Sequence, residues 1–129
     1  MMTLELWMLA GSVLLLFVLI MIQQLHTDVT IGAKYALSNR EVPKPITGLS
    51  GRIDRTLANH KENLLLFAPI VLILATVGIS TGVTRNGAIL FLAARIVHAL
   101  SYIFGLIPFR SVVWMLGIVG IGMMASALF

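Results

Sequence analysis

The chain has 129 residues, 59% of them hydrophobic and only 11% charged, about half the charged share of an ordinary soluble domain. With a mean hydropathy of +1.02 it reads as an integral membrane protein, and its length allows about four spans with short connections and no separate soluble domain. The formal charge of +4 does not point to nucleic acid, because the basic residues are few, scattered and set beside apolar runs as loop charges are; the absence of cysteine excludes disulfides, thiolate metal sites and a thiol nucleophile of the protein's own.

Span one is expected over Leu4–Leu25, with Trp7 as an interfacial aromatic. It lacks the basic n-region and cleavage site of a signal peptide, so it reads as a retained span. Gly11 and Ser12 offer a close-packing point for a neighbouring helix. His26 to Ser50 is the longest polar stretch. Its first part, TDVTIGAKYAL, can prolong helix one; Pro43, Pro45 and Gly48 break its second part into loop, and Ser50 is the expected N-cap of the next helix.

Span two is expected over Gly51–Ile79, longer than a ~30 Å hydrocarbon core needs. Its excess is the charged start, and Pro69 is expected to kink its middle. Ser80–Asn86 reads as a turn, Gly87–Phe104 as span three, Gly105–Pro108 as a tight turn and Phe109–Ala127 as span four. In span four Trp114 marks the interface, while Gly117, Gly120, Gly122 and Ser126 are suited to helix contact. The lysines and arginines concentrate in the first and third loops and at the start of span two. Those loops are therefore expected to be cytoplasmic, with both termini on the opposite side.

Two polar faces interrupt this apolar plan. At about 100° per residue, Arg52, Arg55, Asn59 and Glu62 fall within an arc of roughly 80°, with Asp54 and Lys61 opposite. Arg95, His98 and Tyr102 share one face of span three. Arg95 needs a partner at membrane depth, and Glu62 is the carboxylate expected to provide it. Arg110 and Ser111 open span four on the same side. This set suits a ligand with carboxylates for the guanidinium forks, an amine for Glu62 and amides for Asn59. A small zwitterionic peptide fits it; a phospholipid headgroup fits it less fully. His26 and His60 read as solvent or headgroup residues. With three scattered histidines no metal site is expected.

The series Arg52, Arg55, Asn59, Glu62 resembles the second-helix signature of the MAPEG family, the membrane-associated proteins in eicosanoid and glutathione metabolism. The stretch ARIVHALSYIFGLIPFRSVVW, from Ala94 to Trp114, resembles the third-helix and turn region of the family's microsomal prostaglandin E synthase branch. The resemblance covers essentially the whole chain, 1–129, as one four-span domain.

It implies an all-α integral membrane four-helix bundle, assembled as a homotrimer, with glutathione as the cofactor bound between neighbouring subunits and a small lipophilic substrate. Carried over by position, Arg55, Asn59, Glu62 and Tyr102 would contact glutathione, with Arg52, Arg95 and His98 alongside. Arg110 and Ser111 would handle the thiol and the electrophile as the catalytic pair. Lys34 stands roughly where leukotriene-forming members carry a basic residue.

Ala58 and Asn63 stand where eicosanoid-processing relatives often have a basic or aromatic side chain. The first loop also lacks the acidic segment of the animal enzymes. These departures point toward the shorter bacterial members and hence a bacterial inner membrane. The activity so implied is of glutathione transferase or peroxidase type. Two other classes stay open on the residues alone: a small multidrug-type transporter, which would need an embedded acid such as Glu5, and a non-catalytic membrane protein that binds lipid or glutathione.

Overall fold

The computed structural model of the chain describes residues 1–44 and 47–129; Pro45, one of the expected helix breakers, lies outside them. Four long helices carry the fold: α1 (Leu4–Thr30), α3 (Gly48–Val77), α4 (Gly82–Ile103) and α5 (Ile107–Ala125), with a four-residue α2 (Ala33–Ala36) after α1 and a final 3-10 turn at Ser126–Leu128. All four long helices have the length and composition to cross a membrane, and the chain is an integral, multi-pass membrane protein.

The helix ends differ from the sequence expectation in an instructive way. Helix α3 starts at Gly48 behind Thr47, not behind Ser50, so Gly48, Leu49 and Ser50 add nearly a turn ahead of its charged residues. It continues unbroken through Pro69, whose ring nitrogen cannot donate to the Leu65 carbonyl. Gly78, at φ +73°, closes it in the left-handed cap that glycine permits. Helix α4 begins at Gly82, well before Gly87, because Thr81 and Thr84 form a reciprocal capping box. Polar residues that read as a turn are thus its first turn. Helix α5 begins at Ile107, with Pro108 in its first turn, where a missing N–H costs nothing.

Long-range polar contacts fix the antiparallel order. At one end the buried Glu5 accepts hydrogen bonds from Ser80 Oγ at 3.1 Å and from Thr84 Oγ1, tying the start of α1 to the start of α4. At the other end Arg52 Nε donates to the Ile103 carbonyl at 3.0 Å, satisfying one of the open acceptors at the end of α4. The first loop is clamped there too: Lys44 Nζ lies 2.9 Å from Asp54 Oδ1, and Gln23 Nε2 donates to the same oxygen at 2.7 Å.

Removing Glu5 takes one acceptor from the exposed Ser80 hydroxyl and one from the buried Thr84 hydroxyl, which is left with the Thr81 carbonyl at 3.0 Å. Glu5→Ala is therefore expected to lower stability by about 1–3 kcal/mol. Glu5→Gln, which keeps an acceptor, should cost less. Equilibrium unfolding in detergent checks both, and an alanine variant as stable as the parent would refute the tie.

The interior is layered. One apolar cluster gathers Phe67, Val71, Leu74, Ala88, Phe91, Ile121 and Met124, with Phe67 and Phe91 stacked 3.9 Å apart. A smaller cluster joins Leu19, Leu57 and Ala99 near the other end. Between them along α3 and α4 sits a polar layer containing the buried His60, Asn63, Arg95 and His98. Helices α4 and α5 make the most extensive pairing. They approach through Gly87 and Gly120: a Cβ on Gly87 would stand 2.7 Å from the Gly120 carbonyl oxygen. Gly11 packs under Leu92, as expected of a small residue on span one. Within the single chain Gly122 and Ser126 make no close helix contact. A Cβ on Gly122 would meet nothing within 4 Å, and Ser126 is exposed.

Candidate functional site

The polar end of α3 faces the α4–α5 hairpin. That hairpin is set by Gly105, at φ +74°, and by backbone bonds from Gly105 to Tyr102 and from Leu106 to Ser101. The turn brings the last turn of α4 beside the first turn of α5. Tyr102, half-buried on α4, is flanked by two guanidinium groups, with Arg55 Cζ 5.9 Å and Arg110 Cζ 5.1 Å from its ring centroid, within cation–π reach. The His98 ring lies 5.6 Å from the Tyr102 ring.

Two cavities meet at Arg110. One, of about 290 Å³, is lined among others by Arg52, Arg55, Ser101, Tyr102, Gly105 and Arg110. The other, of about 350 Å³, is lined by Asn59, His98, Arg110, Ser111, Trp114 and Met115. The first is wholly cationic in its charged groups. The second combines a cation, a hydroxyl, an imidazole and an amide with an aromatic and a thioether wall. Both are of the size of small-molecule sites, which start at about 300 Å³.

The structure divides the sequence-derived residues into three groups. Arg55, Asn59, His98, Tyr102, Arg110 and Ser111 come together around these cavities. Arg52 lines the first cavity while its Nε is spent on the Ile103 carbonyl. Arg95 and Glu62 do not behave as expected. Arg95 is buried and lines neither cavity; its Nη2 donates to Asn59 Oδ1 at 2.7 Å and to His98 Nδ1 at 3.3 Å.

The expected Arg95–Glu62 ion pair is not formed. Glu62 is exposed, and among the described residues the ion pair is that of Lys44 with Asp54. Asn59 and Glu62 share a stripe, but the three-residue step rotates Glu62 about 60° farther round α3, which takes it off the face that meets α4. Lys34 is exposed on α2 and lines neither cavity.

The sequence model of the MAPEG family matches residues 4–129, nearly the full length. The chain belongs to the MAPEG family. No curated protein and no solved structure matches it. Membership places this MAPEG chain among membrane proteins of glutathione-related metabolism, a family whose members use glutathione.

Several residues of this MAPEG chain escaped the sequence reading. His60 is buried rather than solvent-facing, with Nε2 2.9 Å from the Ser12 carbonyl oxygen. Helical phase does carry that signal: His60 lies four residues from Thr56 and three from Asn63 and Leu57, all buried. Trp114 and Met115 line the second cavity, although Trp114 alone reads as an interfacial marker. Ser101 borders the first cavity from α4, next to the Tyr102 already singled out.

The chemistry available is that of anion recognition. Arg52, Arg55 and Arg110 present guanidinium groups, and among the described residues no carboxylate lines either cavity. Arg110 stands in the first turn of α5, where the positive end of the helix dipole adds to its field. A ligand with carboxylates and an acidic thiol fits this donor set; its amine would have to find Glu62 from outside the bundle.

Proposed function

We propose that this protein is a glutathione-dependent membrane enzyme of transferase or peroxidase type, acting on lipophilic electrophiles or hydroperoxides. The observation that carries the reading is the meeting of two cavities at Arg110, one cationic and one edged by Ser111, His98 and Asn59, in a MAPEG chain. Glutathione supplies a thiol nucleophile.

Arg52 and Arg55 hold the peptide's carboxylates, and the Tyr102 ring keeps the Arg55 and Arg110 forks apart. Arg110 and Ser111 are the catalytic pair. The guanidinium charge and a hydroxyl donor favour the thiolate over the thiol, whose ordinary pKa is about 8.5. Trp114 and Met115 give the lipophilic partner an apolar wall open to the bilayer.

The homotrimer belongs to the same proposal. Arg55, Lys61 and Glu62 are all exposed on α3, beside Leu65, Leu66 and Leu72, which are also exposed. Charges facing lipid at that depth are costly, and a second copy packed on α3 would cover them. It would also bring Glu62 to a ligand bound between subunits, as the amine requires. By the lysine and arginine distribution the site opens on the cytoplasmic side, and by the resemblance to the shorter bacterial members the membrane is a bacterial inner membrane. The transporter reading is less well supported. Glu5, the acid it would use, is buried and held by Ser80 and Thr84.

Thermal unfolding in detergent with glutathione or its S-methyl analogue, in the parent and in Arg55→Ala, tests the proposal. Glutathione should stabilise the parent saturably, the analogue more weakly, and Arg55→Ala should need roughly tenfold more glutathione for the same shift. No stabilisation of the parent, with no glutathione-dependent turnover of a generic electrophile, would end the proposal.

A further inference from the structure

A guanidinium can only donate hydrogen bonds. That elementary constraint sets two orientations in the polar layer. Arg95 Nη2 lies 2.7 Å from the side-chain oxygen of Asn59, and Asn63 Nδ2 also donates toward that oxygen, at 3.4 Å. The Asn59 oxygen is therefore held inward by two donors, and its Nδ2 is the group left for the cavity that Asn59 lines.

The same Nη2 lies 3.3 Å from His98 Nδ1. A hydrogen bond from Nη2 to Nδ1 corresponds to the neutral ring that carries its proton on Nε2. Arg95 itself is buried, touches neither cavity, and keeps Nε and Nη1 without a partner among the described residues. Its position has no ready explanation as a surface anchor or as half of an ion pair.

We infer that Arg95 is a positioning residue: through Nη2 it turns the Asn59 amide and fixes the His98 tautomer, so that the deep wall of the second cavity presents N–H donors to an anionic group. Asn59 Nδ2 and His98 Nε2–H then complement Arg110 and Ser111, which line the same cavity. The wall becomes a donor surface suited to a compact negative charge. On the function proposed above, on which this inference rests for its ligand, that charge is the thiolate sulfur of glutathione.

The mechanism is one of preorganisation, since donors already aimed at a developing charge need no reorientation. A purely structural Arg95 would fill space and tie α3 to α4. It would leave the histidine tautomer and the state of the bound thiol unaffected by its replacement.

Nitrogen NMR of histidine-labelled protein in detergent, with His98 assigned by difference against His98→Gln, reads the tautomer directly and requires no ligand. The parent should show Nδ1 bare and Nε2 protonated; Arg95→Met should show a mixture of tautomers, and Arg95→Lys an intermediate. A parent with the proton on Nδ1, or an Arg95→Met spectrum identical to the parent's, would overturn the inference whatever glutathione does.

In the second arm, ultraviolet absorbance of bound glutathione follows its thiolate against pH. Arg95→Met should lower the thiolate fraction at neutral pH roughly tenfold, about one pKa unit, while the ligand-free protein unfolds at the parent's temperature or above. An unchanged thiolate titration in Arg95→Met would also overturn it. If the parent binds no glutathione, the proposed function fails, and the tautomer alone decides the inference.

Discussion

Arg110→Ala is expected to lower glutathione-dependent turnover by about two to three orders of magnitude, the usual cost of losing one preorganised stabiliser of negative charge. Arg110 is the residue common to both cavities, with its guanidinium 5.1 Å from the Tyr102 centroid. It also stands in the first turn of α5, at the positive end of the helix dipole. On the proposed function, removing it takes away the charge assigned to the sulfur while leaving Arg52 and Arg55, the residues assigned to the carboxylates, in place.

The loss should therefore fall on kcat. KM should move by less than about tenfold, the pattern of an interaction made mainly in the transition state. Arg110→Lys keeps the charge but not the planar fork, and should fall between alanine and the parent. Ser111→Ala removes a single neutral donor and should cost less than Arg110→Ala. Steady-state kinetics on the purified protein with a generic electrophile separate these outcomes. An Arg110→Ala enzyme within twofold of the parent would remove Arg110 from the chemistry.

How much of the fold and site is legible in the sequence depends on what kind of information each feature needs. The four spans are a matter of composition and length, so they can be read directly. The stripe on α3 follows from 3.6-residue periodicity, which says which residues share a face. Periodicity does not say where that face ends. Asn59 meets Arg95, whereas Glu62, one turn on, lies outside on the exposed rim. Burial of a charge suggests an ion pair, and so Arg95 points to the nearest carboxylate. The chain uses an amide and an imidazole instead.

His60 is hard to read for a related reason. A histidine among charges looks solvated, although its helical phase sets it with the buried Thr56, Leu57 and Asn63, and its ring meets the Ser12 carbonyl 48 positions away. Glu5 is the same problem at the other end, since its acceptors are satisfied from Ser80 and Thr84. The boundary errors are of another kind. Thr81 and Thr84 cap each other reciprocally, and a threonine in place of the usual glutamate gives a weak capping signal. Ser50, the better capping type, lies inside the helix, which starts behind Thr47 without a side-chain cap bond.

Gly120→Val should be the most destabilising single substitution in the bundle, at about 3 kcal/mol or more. A Cβ at Gly120 would stand 2.6 Å from the Gly87 carbonyl oxygen, 2.9 Å from Phe91 N and 3.3 Å from Phe91 Cα. All three are backbone atoms of α4, so no rotamer change can relieve the overlap. The reciprocal contact, from Gly87 to the Gly120 carbonyl at 2.7 Å, blocks relief by a small rotation.

Helices in lipid lack the hydrophobic drive that holds soluble bundles together, and close backbone approach through small residues takes its place. Opening this crossing also strips cover from Phe91 and Met124 in the larger apolar cluster. Gly122→Val is the matched control, because a Cβ there meets nothing within 4 Å; it should unfold with the parent. The comparison reaches the site as well, since α4 carries His98 and Tyr102 while α5 carries Arg110 and Ser111. Any Gly120 variant that still folds should lose turnover more steeply than the glutathione binding that the proposed function assigns to Arg52 and Arg55. Unfolding in detergent and kinetics on the same preparations test both halves; a Gly120→Val protein as stable as Gly122→Val would show that the α4–α5 crossing does not hold the site together.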